Sequence, residues 1–194
     1  MNLRQLPNAI TGLRLLLVVP LAWCLQDLHF RWALAIALVA GASDALDGWL
    51  AKRFGWQTWL GGMLDPVADK LFIAGAFIGL WLAAAVPGWF VVLAIGRDVV
   101  IVSGAVVYNA VFGSIQADPT RISKATTVAQ VAMVLVLLIG LALRPLPPLE
   151  GQAMLGIVSV LTAASGIDYV VRWGRRAWVQ ARARRRPKQG DDVR

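Results

Sequence analysis

The chain has 194 residues, 58% of them hydrophobic, and a mean hydropathy of +0.65. A soluble domain of this size does not carry so much apolar sequence, and no stretch is long enough for a separate soluble module, so composition points to an all-α, polytopic membrane domain. The net charge is +8, but nine of the 19 Lys and Arg fall between Arg172 and Arg194, which reads as an orientation signal beside anionic headgroups rather than a nucleic-acid-binding arm. The single cysteine, Cys24, excludes an internal disulfide and reads as a small apolar helix residue.

In chain order, residues 2–7 form a short interfacial turn before Pro7. The N-terminal run lacks a small-residue cleavage site and is interrupted by Arg14, so Asn8 to about Leu25 reads as a retained first span rather than a secretory signal. Asn8, Thr11 and Arg14 lie on one side of its first two turns. Arg14 then either snorkels to the headgroups or belongs to a polar stripe facing the bundle. After the polar turn Gln26–Arg31, the second span covers about Trp32 to Phe54, apolar first and acidic later. The segment Gly55–Leu60 connects to a third span, about Gly61 to Ala85, with the reverse pattern, so the two polar halves meet at one membrane face.

Pro87-Gly88 marks a tight turn before the fourth span, Trp89 to Phe112, which carries Arg97 and Asp98 in its middle third. Those two either neutralise each other or leave Arg97 to bind an anion in a polar cavity. The loop Gly113–Arg121 precedes a fifth span, Ile122 to Leu143, and Pro145, Pro147 and Pro148 break the chain before the sixth, Met154 to Trp173. The sequence therefore divides into six transmembrane helices over residues 1–174 and a basic tail over 175–194. Lys52-Arg53, Arg121, Lys124 and the tail lie on one side, against Arg31 and Arg144 on the other. The positive-inside rule then puts both termini and the acidic face in the cytoplasm, as expected of a multi-pass protein of the cell (inner) membrane.

Chemistry concentrates between Ser43 and Lys70. A carboxylate in a membrane span costs ~2.5–3.5 kcal/mol on insertion scales and is by default functional. Here Asp44, Asp47, Asp65 and Asp69 all lie in or beside apolar runs. Asp44, Asp47, Gly48 and Ala51 share one face of the second helix, and Gly61, Asp65 and Asp69 share one face of the third. Packing these faces together converges four carboxylates, and the small residues leave room for a ligand or for close helix packing. Carboxylate oxygens suit Mg²⁺, Mn²⁺ or Ca²⁺, and with His29 as the only histidine, on the other side, no zinc site is expected. Two carboxylate-held divalent ions are a familiar clamp for phosphoryl transfer.

The same run resembles the signature of the CDP-alcohol phosphatidyltransferases, D-x2-D-G-x2-A-R-x8-G-x3-D-x3-D. Asp44, Asp47, Gly48, Ala51, Gly61, Asp65 and Asp69 keep every spacing, and Lys52 stands where the family has arginine, retaining charge without bidentate phosphate geometry. The stretches PNAITGLR (Pro7–Arg14), LDPVADK (Leu64–Lys70), Arg97-Asp98 and PTRISKATTVAQ (Pro119–Gln130) are similar to family members that make phosphatidylglycerophosphate or cardiolipin. The resemblance implies a six-helix enzyme, commonly a homodimer, that transfers a phosphatidyl group from CDP-diacylglycerol to an alcohol and releases CMP. It implies Asp44, Asp47, Asp65 and Asp69 as ligands of two Mg²⁺ or Mn²⁺ ions, with Asp69 also the general base. It further implies Asn8, Thr11, Arg14, Gly48, Ala51, Lys52 and Gly61 along the CDP-alcohol site.

Arg97, Arg121 and Lys124 form a candidate site for the acceptor's phosphate, which suits glycerol 3-phosphate; phosphatidylglycerol is the alternative lipid acceptor. Arg121 and Lys124 are equally readable as basic flanks. Two other classes share some of these features. A cation transporter would also place carboxylates in the membrane, and a lipid-binding scaffold would need the basic tail but not the aspartates.

Overall fold

A computed structural model describes residues 6–54, 59–112 and 120–184 of the chain. Among the described residues there are six α-helices and no strand: α1 Leu6–Gln26, α2 Phe30–Phe54, α3 Trp59–Leu82, α4 Gly88–Phe112, α5 Arg121–Ala142 and α6 Pro148–Arg184. The helices end where turn chemistry permits. Leu28 and Ala84 adopt left-handed φ values of 58° and 56°, and the amides that follow them, His29 and Ala85, return to the carbonyls of Cys24 and Leu80 at 2.7 and 2.8 Å, closing α1 and α3. Pro148 starts α6, where a proline's missing N–H costs nothing.

The sixth helix is longer than expected. It has 37 residues, about 55 Å at 1.5 Å per residue, against a hydrocarbon core of about 30 Å. The apolar part ends near Arg172, but nothing there breaks the helix, and it continues to Arg184 with Arg176 and Arg182 over the rings of Trp173 and Trp178.

Among the described residues, three segments are long and apolar enough to cross a membrane: Gly88–Tyr108, Arg121–Ala142 and Pro148–Arg176. The apolar stretch of α1, Ile10–Gln26, is shorter. The polar ends of α2 and α3 hold the charges seen in the sequence, Asp44, Asp65, Asp69 and Lys70 among them. Large apolar side chains point outward, with Leu16, Val92, Val128 and Val160 all exposed on different helices. That distribution is unlike that of a water-soluble bundle.

The apolar core fills one half of the bundle. Leu21 and Leu25 of α1, Phe77 and Leu80 of α3, Phe90 of α4 and Met133 and Leu138 of α5 are fully buried there. Phe77 and Phe90 meet edge-to-face at 5.1 Å between ring centres. The aspartates lie in the other half.

α1 packs closely along α3. Gly75 and Gly79, one turn apart, let α1 lie flush on α3. A Cβ on Gly79 would stand 2.9 Å from Cβ of Leu25, an atom fixed by the backbone, and one on Gly75 would meet Cγ1 of Val18 at 2.6 Å. Gly79→Leu is therefore expected to force the helices apart and to cost about 1–3 kcal/mol by overpacking. Thermal unfolding in detergent checks this: an unchanged melting temperature would show that α1 does not bear on α3 there.

Candidate active site

The first two turns of α1 supply the partners of the aspartates. Thr11 and Arg14 are buried, and both face α3. The Thr11 hydroxyl donates to Asp65 Oδ1, and Arg14 NH1 donates to Asp69 Oδ1. The other end of the same guanidinium, NH2, lies 2.7 Å from Asp44 Oδ1 on α2. Of the two readings of Arg14, the inward polar stripe is therefore the one adopted; its side chain is 3% exposed. One cation bridges carboxylates from two helices: the acidic faces of α2 and α3 converge on Arg14, while among the described residues the two helices pack on α1 rather than on each other.

Asp44 and Asp69 remain accessible, with side chains 52% and 43% exposed. With Arg14 they line the polar end of a cavity of about 210 Å³. Its other walls are apolar and come from α2, α3 and α5, including Ala37, Phe72, Val131 and Leu135. Thr127 also lines it. An acidic mouth above an apolar chamber is suited to a molecule with a charged head and a hydrocarbon body. A Cβ built on Gly48 would meet nothing within 4 Å, so the space beside that residue is open.

The backbones of Asn8, Asp47, Ala51, Lys52 and Gly61 belong to α1, α2 and α3, but their surroundings lie outside the described residues, as do residues 55–58, 113–119 with Asp118, and 185–194. Among the described residues no three His, Cys, Asp or Glu side chains form a group able to hold a metal ion. The donor chemistry nevertheless fits a hard divalent cation: Asp44 and Asp69 offer accessible carboxylate oxygens close enough to share one guanidinium, at the polar end of the cavity.

Arg97 is placed differently from Arg121 and Lys124. Its side chain is 2% exposed and every nitrogen is engaged by the protein. NH1 donates to Asp98 Oδ1 at 2.6 Å, NH2 to Ser123 Oγ and Ser165 Oγ at 2.6 Å each, and Nε to Ser165 Oγ at 3.2 Å. Asp98 Oδ1 also accepts Lys70 Nζ at 2.5 Å. Arg97 and Asp98 thus neutralise each other within a network that ties α3, α4, α5 and α6. Ser123 is presented by the first turn of α5, whose N-cap Thr120 accepts the Ser123 amide at 3.1 Å. Arg121 and Lys124, on the same turn, are exposed.

The geometry describes a helical membrane protein with an acidic site opening on an apolar cavity, and comparison with known proteins places it in a family. Residues 4–167 match the family model described as CDP-alcohol phosphatidyltransferase. The chain belongs to the CDP-alcohol phosphatidyltransferase family. It is 27% identical over 180 residues to the human protein named cardiolipin synthase (CMP-forming), covering 84% of this chain and 60% of that one. It is 31% identical over 191 residues to a cardiolipin synthase (CMP-forming) / mitochondrial hydrolase fusion protein of Schizosaccharomyces pombe, covering 88% of this chain and 31% of the other. It is 34% identical over 145 residues to a probable phosphatidylglycerophosphate synthase of Mycobacterium tuberculosis, covering 72% of this chain and 65% of that protein. The chain thus spans about three-fifths of the length of the human relative.

Proposed function

We propose that this protein transfers a phosphatidyl group from CDP-diacylglycerol to an alcohol and releases CMP, with six membrane spans and the acidic site at the cytoplasmic face. The observation that carries the reading is the convergence of Asp44 and Asp69 on Arg14 at the mouth of an apolar cavity, in a chain that keeps the family's aspartate spacing. The charges on α2 and α3 are compatible with crossing because Asp65, Asp69 and Asp44 each have a partner on α1.

Asp44, Asp47, Asp65 and Asp69 are the residues that would hold divalent ions, which neutralise the diphosphate and stabilise departing CMP when bound. Asp69 accepts the proton of the acceptor hydroxyl as its oxygen attacks the phosphatidyl phosphorus and the bond to the CMP oxygen breaks. Thr11 orients Asp65. The apolar walls of the cavity hold hydrocarbon and exclude water, which limits hydrolysis of the donor.

The acceptor we favour is glycerol 3-phosphate. Arg121 and Lys124, exposed on the first turn of α5, are free to meet its phosphate, while Arg97 supports that turn through Ser123. Phosphatidylglycerol is the second reading, favoured by the names of the human and fission-yeast relatives. Purified protein given CDP-diacylglycerol, Mg²⁺ or Mn²⁺ and one alcohol at a time separates them. CMP release with glycerol 3-phosphate alone supports the first, and release with phosphatidylglycerol alone supports the second. No CMP with any alcohol would sink the enzyme reading and leave the cation transporter, whose mark is metal uptake into liposomes.

A further inference from the structure

Two carboxylates brought close together repel, and that repulsion grows as the effective dielectric constant falls. Asp44 and Asp69 come from α2 and α3, which among the described residues pack on α1 rather than on each other, so the approach of their carboxylates calls for a cation between them. Arg14 supplies that cation from a third helix. Its placement is built into the packing, because Gly75 and Gly79 hold α1 flush against α3 and thereby bring the first turns of α1 to the aspartates. Arg14 also forms part of the cavity wall beside Asp44 and Asp69.

We propose that Arg14 is the resident counter-ion of this site and is exchanged for divalent ions when they load. A hard cation seeks the carboxylate oxygens that Arg14 holds, and a guanidinium and a divalent ion at the same oxygens repel each other. With the ions in place, Arg14 leaves Asp44 and Asp69 and turns its charge towards the cavity, where the anionic part of a bound donor lies. The inference rests on the metal-dependent reading above and adds an order of events: Arg14 gives up the carboxylates as the ions take them.

The test is Mn²⁺ binding to purified wild type and Arg14→Gln in detergent, without donor, read from the electron paramagnetic resonance signal of free Mn²⁺. Removing the competitor is expected to tighten Mn²⁺ binding about tenfold. Without metal, Arg14→Gln is expected to melt below wild type, and saturating Mn²⁺ is expected to close that gap. If Arg14→Gln fails to fold, Arg14→Lys serves in its place, because an ammonium cannot bridge both carboxylates as a planar guanidinium does; it too is expected to bind Mn²⁺ more tightly than wild type. Binding equal to or weaker than wild type in the variant that folds, or a melting gap that Mn²⁺ leaves unchanged, overturns the exchange alone. Absence of Mn²⁺ binding by both proteins overturns the metal reading of the site and the exchange with it.

Discussion

Asp69→Asn is expected to lower CMP release by about 10³-fold, the middle of the range that loss of a general base produces. The substitution keeps the shape of the side chain and its capacity to accept from Arg14, and removes the charge. Asp69 lies at the cavity mouth, half exposed, on the helix face that also carries Asp65. Its neighbours therefore need not move when it is neutralised. Arg14 still has Asp44, and the variant is expected to melt close to wild type. The combination of retained stability and lost turnover separates a chemical role from a packing role. The pH dependence adds a second readout: the residual activity of Asp69→Asn should lose the rise with pH that a titrating base imposes on the wild-type rate. Near-normal turnover with intact metal binding would remove Asp69 from the proton-transfer step. Asp65→Ala provides the contrast with a lipid-binding scaffold, in which the aspartates would be dispensable; here it is expected to lose both activity and the Thr11 contact.

How much of this was legible in the sequence follows from the range of the forces involved. Apolar runs and their breakers are local, so Pro87-Gly88 marks the start of α4, and most helix ends fall within about two residues of their expected places, whereas α6 begins at Pro148, six residues before the expected Met154. The far end of α6 was not legible, because falling hydropathy ends a membrane span without ending a helix. Arg, Ala and Gln after Trp173 are good helix formers, and α6 runs on to Arg184. That Asp65 and Asp69 share a face of α3 was legible, because a spacing of four residues defines a helix face. Which cation answers them was not. Arg14 lies 55 residues before Asp69 and reaches it only because α1 packs on α3. The available signal was Gly75-x3-Gly79, whose role appears only when Leu25 and Val18 are seen against it. Arg97 shows the same limit. Periodicity placed it mid-helix beside Asp98, but Ser123 and Ser165 stand 26 and 68 residues away, and their hydroxyls occupy nitrogens that a phosphate would otherwise take.

The Arg97 network sets the largest expected effect on stability. Asp98→Ala removes the only carboxylate that Arg97 and Lys70 share among the described residues, leaving a guanidinium buried with two serine hydroxyls. Breaking a buried pair by deleting one partner costs ~3–5 kcal/mol, because the remaining charge is stranded away from water. Asp98→Asn keeps an acceptor and is expected to cost less. Replacing both members, Arg97→Met with Asp98→Leu, strands no charge on α4 and is expected to recover much of the loss, with the non-additivity measuring the coupling. Thermal unfolding in detergent reads all three, and an unchanged melting temperature for Asp98→Ala would show that the network is not a stabilising one. The consequence reaches the site through α3. Lys70 follows Asp69 on that helix, so its grip on Asp98 fixes the rotation at which Asp65 and Asp69 present themselves to Thr11 and Arg14. Asp98→Ala should therefore lose activity together with stability, whereas Asp69→Asn should lose activity alone. If Asp98→Ala instead melted normally but failed only with glycerol 3-phosphate as acceptor, Arg97 would be a phosphate ligand after all, with Asp98 serving to orient it.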